Sequence, residues 1–133
     1  MNMKNKIDYK KLINNALKYQ KNAYVPYSKF CVGASVLARS GKIYGGANIE
    51  NASYPCGICA ERVAISKALT EGEKEFVAIA IVGDDKNYTY PCGMCRQFLS
   101  EFGNIKIITA KSTTDFEETE LQKLLPRKFD LSN

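Results

Sequence analysis

Two short stretches carry residues whose types and spacing could do chemistry. Tyr54-Pro-Cys-Gly-Ile-Cys-Ala-Glu-Arg62 and Pro91-Cys-Gly-Met-Cys-Arg-Gln97 each hold a Cys-x-x-Cys pair, and each runs directly into an apolar helical pattern. The chain has no histidine, so a metal site here would be built from thiolates. A thiolate at a helix start is favoured by the helix dipole and the free backbone N–H groups. Two such starts converging would set three or four sulfurs around one ion, and zinc suits sulfur ligands in a tetrahedral site. Glu61, two residues past Cys59, can reach the open face of such an ion without ligating it, as a catalytic site requires.

Three readings of the cysteines compete. In the first, Cys59, Cys92 and Cys95 bind the ion, water is fourth, and Glu61 lies beside the water. In the second, Cys56 closes the site as a fourth ligand and the ion is structural. In the third, Cys-Gly-x-Cys is a redox dithiol. The stretch between the pairs, 60 to 91, exceeds the ~15–20 residues usual in small zinc modules and contains a whole helix and strand, so no metal is needed to replace a missing core. The redox reading explains neither the second pair nor Glu61.

The elements that must position these residues are legible from periodicity and breakers. A helix is expected over 7–21, with Ile7, Leu12, Ile13, Ala16 and Leu17 on one stripe. The loop 22–28 contains Pro26, and Tyr24, Tyr27 and Phe30 crowd it. A hairpin follows, 30–38 and 42–47, turning at Ser40-Gly41-Lys42. Asn48 and Glu50, one residue apart, point to the same face of an extended segment and offer an amide and a carboxylate to a vicinal diol such as ribose. A helix is expected over 60–71, stopped by Gly72. Residues 75–83 form a nearly unbroken apolar run, as in a central strand covered on both faces. A helix over 92–102, a strand over 105–110, an edge strand over 116–120 and a helical turn over 121–125 complete the pattern. Cys31 reads as a small buried hydrophobe in the first strand. The order implies a central sheet with helices on its faces, in one domain spanning 1–133.

Composition excludes several classes. Of the 133 residues, 45% are hydrophobic and 25% charged, enough apolar material for a core. No apolar run approaches the ~20 residues of a membrane span. The first residues lack a signal-peptide core, which predicts a cytoplasmic chain with reduced cysteines. An odd count of 5 cysteines also argues against a complete disulfide framework. The net charge of +5 is spread without a lysine run, and no aromatic-and-basic track is present, so no nucleic-acid partner is expected.

Taken together, Tyr24-x-Pro-Tyr-Ser-x-Phe30, Asn48-Ile-Glu-Asn51, Tyr54, Cys59-Ala-Glu-Arg62, Pro91-Cys-Gly-x-Cys-Arg-Gln97 and Leu124-Leu-Pro-x-x-Phe129 resemble the zinc nucleoside deaminases, nearly end to end. The likeness is to the small, all-cysteine, homotetrameric cytidine deaminase type. It implies a three-layer α-β-α fold with a central mixed five-stranded sheet. It implies one zinc per chain on Cys59, Cys92 and Cys95, and Glu61 as the proton shuttle. Phe30, Asn48, Glu50 and Ala60 would contact the nucleoside, with Asn48 and Glu50 on the ribose. Tyr54 and Phe129 would complete a neighbouring subunit's site, and Arg62 would hydrogen-bond ligand sulfurs. Cys56 would be a free, buried thiol.

The expected reaction is hydrolytic deamination of cytidine and 2′-deoxycytidine in pyrimidine salvage. Other readings are a deaminase of a different aminopyrimidine nucleoside or antibiotic analogue, and a non-enzymatic zinc-stabilised domain.

Overall fold

The computed structural model describes residues 6–84 and 86–131. Helix α1 (Tyr9–Gln20) starts where the Asp8 carboxylate accepts the N–H of Lys11, an N-cap that satisfies one of the free amides of the first turn. Strands β1 (Val32–Ala38) and β2 (Ile43–Ala47) form the hairpin, with Gly41 in the left-handed region at φ 95. Helix α2 (Ala60–Thr70) and β3 (Phe76–Gly83) follow. Then come α3 (Gly93–Ser100), β4 (Lys106–Ala110), β5 (Phe116–Glu120) and the short α4 (Leu121–Leu124).

The sheet order is β2-β1-β3-β4-β5, so β3 is central and β5 is an edge, as the sequence predicts. β3 pairs antiparallel with β1 and parallel with β4, which makes the sheet mixed. Period-two alternation along β3 separates two cores. Ala78, Ala80 and Val82 face Leu12, Ile13 and Ala16 of α1. Ile79 and Ile81 face Ala64, Ile65 and Ala68 of α2 and Leu99 of α3. The two helix layers thus enclose the sheet.

Small residues bring these layers unusually close. A Cβ on Gly33 of β1 would lie 2.0 Å from the carbonyl oxygen of Ala16, and one on Gly46 of β2 would lie 2.7 Å from the amide nitrogen of Ala64. Both neighbours are helix backbone and cannot swing away. Gly33→Ala should therefore lower stability by about 3 kcal/mol, seen as a fall in the urea midpoint with unchanged slope. An unchanged midpoint would mean that α1 can shift off the sheet at no cost.

Two expectations for single cysteines need correction. Cys31 lies just before β1 and is half-buried, because its N–H is diverted to the Asp84 carboxylate at 2.8 Å and does not enter the ladder. Cys56 is exposed and not buried, because Pro55 starts a 3-10 turn at Tyr54–Cys56 that lies on the surface.

Candidate metal centre and active site

The two halves of the site are helix starts. Cys59 is the N-cap of α2 and Cys92 the N-cap of α3, and neither uses its side chain to cap its helix. Their sulfurs are left to face one another, 3.7 Å apart. Cys95, in the first turn of α3, is buried. The three sulfurs lie within 4.8 Å of one another, and among the described residues they form the one such group of potential metal ligands. Cys56, exposed on its turn, is not a member. Three donors leave a tetrahedral ion one open position, so the closed four-sulfur arrangement is not the one this fold builds.

The chemistry of the donor set fits a dication. Hydrogen bonding to Cys95 holds the Cys59 thiol down at about 5, with Arg62 assisting. The same contact pushes Cys95 up, as do burial and the negative charge of Glu61. Three sulfurs this close oppose one another's ionisation, and a cation seated among them would outweigh that repulsion by attracting all three thiolates. Arg62 adds a fixed positive charge, its Nη2 3.8 Å from Cys59 Sγ. All five cysteines are free.

Glu61 sits in the first turn of α2 at 4% exposure. Burial pushes its carboxyl up to about 7, with the charge on Cys59 adding to the shift. A carboxyl that exchanges its proton near neutral pH is matched to acid–base work. Ala60 is buried beside it.

A second set of residues is stitched to the first. The backbones of Ile49 and Ile58 exchange hydrogen bonds at 3.0 and 2.9 Å, while Tyr24 accepts the N–H of Glu50 at 2.8 Å. These bridges lay the Asn48–Glu50 segment beside the approach to Cys59. Asn48 accepts the N–H of Val32 and donates to the carbonyl of Phe30, both at 2.9 Å. Glu50 is bonded to Tyr27 and Ser28. Both side chains turn toward the loop 27–32, as the one-residue spacing predicts, but they are already hydrogen-bonded there. Phe30 is half-buried against the α2 side of the core. An open cavity of about 410 Å³ is lined by Tyr27, Ser28, Glu50, Asn51, Tyr54 and Gly57.

Tyr54 lines that cavity yet is 80% exposed, and Phe129 is 69% exposed. Gln97 fixes Phe129 all the same: its side-chain amide donates to the Phe129 carbonyl and accepts the Phe129 N–H, both at 3.0 Å. Arg96 ties the same region down, donating from Nε to Pro91 at 2.8 Å and from Nη1 to Leu124 at 3.0 Å. The sequence reading did not single out Ser28, Arg96 or Gln97 as supports. Arg96 and Gln97 directly follow the second cysteine pair, which was their one local signal.

Comparison with known proteins gives consistent matches. The family model for the cytidine and deoxycytidylate deaminase zinc-binding region matches residues 6–111. The chain is 46% identical over 125 residues to a cytidine deaminase from Sporosarcina psychrophila, covering 92% of each. It is 44% identical over 125 residues to one from Halalkalibacterium halodurans, covering 92% of this chain and 95% of that one. Its fold superposes with a TM-score of 0.87 on the crystal structure of cytidine deaminase from Burkholderia pseudomallei, at 38% identity, covering 92% of this chain and all of the other.

Proposed function

The chain belongs to the cytidine and deoxycytidylate deaminase family of zinc-binding enzymes, and from that premise we propose that it converts cytidine and 2′-deoxycytidine to uridine and 2′-deoxyuridine, consuming water and releasing ammonia. The observation that carries this reading is the buried carboxyl of Glu61 in the first turn of α2, two residues after Cys59, whose sulfur converges with those of Cys92 and Cys95.

Cys59, Cys92 and Cys95 would hold the zinc, and Arg62 would offset part of their charge. When bound, the ion supplies Lewis acidity that makes water a nucleophile at neutral pH. Glu61 accepts a proton from the attacking water and passes it to N3 of the pyrimidine. Oxygen then bonds to C4, which becomes tetrahedral. Glu61 next carries the remaining hydroxyl proton to the amino group, the C4–N bond breaks, and ammonia leaves as C4 regains its carbonyl. Burial of Glu61 keeps bulk water from competing for these protons. Phe30 packs against the base, the backbone of Ala60 bonds its edge, and Asn48 and Glu50 hold the ribose.

The exposed Tyr54 and the tethered Phe129 support a homotetramer in which each completes a neighbour's site. Light scattering should give the mass of four chains, and Phe129→Ala should raise KM more than it lowers kcat. A monomer at assay concentrations would overturn the shared site. Thiolate ligands need a reducing compartment, which supports a cytoplasmic location and a place in pyrimidine salvage. Among the described residues no helix is long and apolar enough to cross a membrane.

The direct test is to incubate purified protein with cytidine and follow uridine and ammonia, with metal analysis in parallel. One zinc per chain and stoichiometric products are expected. Zinc without turnover on any aminopyrimidine nucleoside would leave only a zinc-stabilised domain.

A further inference from the structure

The start of α3 serves two places at once. Cys92 and Cys95 turn their sulfurs to the metal site, while Arg96 and Gln97 bond the C-terminal segment. Arg96 reaches both sides. Its Nε donates to the carbonyl of Pro91, the residue before Cys92, at 2.8 Å. Its Nη1 donates to the carbonyl of Leu124, 28 residues away in sequence, at 3.0 Å. The C-terminal segment is fastened to the same helix again by Gln97 on Phe129, and by Lys128 Nζ on the carbonyl of Ser100 at 3.2 Å.

The first turn of that helix is its weak part. The helix has 8 residues, begins at Gly93, and its N-cap makes no side-chain hydrogen bond. Helices this short are marginal by propensity alone, and a first turn without a side-chain cap frays readily. The later part is anchored, since Leu99 is fully buried in the core. On the other side, the Tyr90 hydroxyl donates to Glu117 of β5 at 2.7 Å, which seats the chain just before Pro91. The element with two states is therefore the turn 92–96, formed or frayed. When it is formed, the Arg96 N–H closes on the Cys92 carbonyl at 2.9 Å and the guanidinium bridges Pro91 to Leu124. A cation on Cys92 and Cys95 would pin both ends of that turn.

We propose that Arg96 is a positioning residue that couples the metal site to the C-terminal segment. Zinc on Cys92 and Cys95 fixes the turn, the turn fixes Arg96, and Arg96 fixes the segment that carries Phe129. By linkage, a docked segment tightens the hold on zinc by the same factor. The coupling rests on the reading of the three cysteines as zinc ligands, and its bearing on a neighbour's site rests on the reading of Phe129. Arginine suits the task because its planar fork serves two carbonyls together, which the compact ammonium of lysine does not reproduce.

The experiment compares wild type, Arg96→Gln, Arg96→Lys, Gln97→Ala and the Arg96→Gln/Gln97→Ala double variant. Zinc affinity is read by competition with a chelator. Hydrogen exchange of amides 124–129 is read in zinc-loaded and chelator-stripped samples matched in mass by light scattering, with the β3 amides as control. In the wild type, stripping zinc should speed exchange at 124–129 about tenfold and leave β3 within about twofold. Arg96→Gln should bind zinc at least about tenfold more weakly, and its segment should exchange fast with or without zinc. Arg96→Lys should lose the coupling as well. Gln97→Ala, which loosens the segment without touching Pro91, should weaken zinc about fivefold alone and add nothing to Arg96→Gln. Exchange at 124–129 that ignores zinc in the wild type would overturn the coupling. Zinc-sensitive exchange in Arg96→Gln would remove Arg96 from it, and wild-type behaviour in Arg96→Lys would show that charge acts and the bridge does not. If the coupling holds while Phe129→Ala keeps its kcat and KM, the shared-site reading falls alone.

Discussion

Glu61→Gln should bind zinc at one per chain, bind nucleoside, and lose turnover by a factor on the order of 10⁴. The substitution preserves the shape of the side chain, so the packing around a residue only 4% exposed is kept. It removes only the group that can take up and release a proton. A buried neutral amide is also less costly than a buried carboxylate, so folding should not suffer. The chain has no histidine, and among the described residues no other carboxylate has its charged form as strongly disfavoured by burial. A rescue group is therefore missing. Steady-state kinetics with metal analysis on the same sample would decide the matter. Turnover within tenfold of the wild type would remove Glu61 from the proton relay.

Cys92→Ser should empty the metal site while leaving helix α3 in place. Serine is a favoured N-cap, whereas Cys92 makes no side-chain capping bond at present, so the helix start is not weakened. A serine hydroxyl does not ionise near neutral pH and is a poor partner for zinc, so affinity should fall about a thousandfold. After dialysis against a chelator the variant should retain little zinc, and the stabilisation that zinc confers on the wild type should vanish from its melting curve. Full zinc content with an unchanged melting temperature would rule Cys92 out as a ligand. Because Cys92 is exposed and Cys95 is buried, Cys92→Ser separates ligation from core packing more cleanly than a change at Cys95 would.

The sheet and its helices were readable because their signals are local. The unbroken apolar run of β3 marks a strand buried on both faces, and its alternation assigns Ala78 and Ile79 to opposite cores. The convergence of cysteine sulfurs was readable for the same reason, since both pairs stand at helix starts, but whether three or four of them would gather was not. What escaped was set by contacts across long stretches of sequence. Glu50 bonds amides 22 and 23 residues away, and no periodicity reports that. Cys31 and Cys56 were misjudged because a cysteine carries no sign of its own exposure. The deciding groups, Asp84 for one and Pro55 for the other, act through backbone geometry.

The amide pincer of Gln97 on Phe129 has a consequence for the homotetramer proposed above. Freezing a free strand of chain at the moment two subunits meet would subtract from the strength of their union. Here that freezing is completed inside each subunit, before any encounter, with the aromatic ring already presented outward. Subunits prepared in this way should dock as rigid bodies, and their catalytic pockets should survive dilution better than those of a protein whose ends must first be tamed by the neighbour.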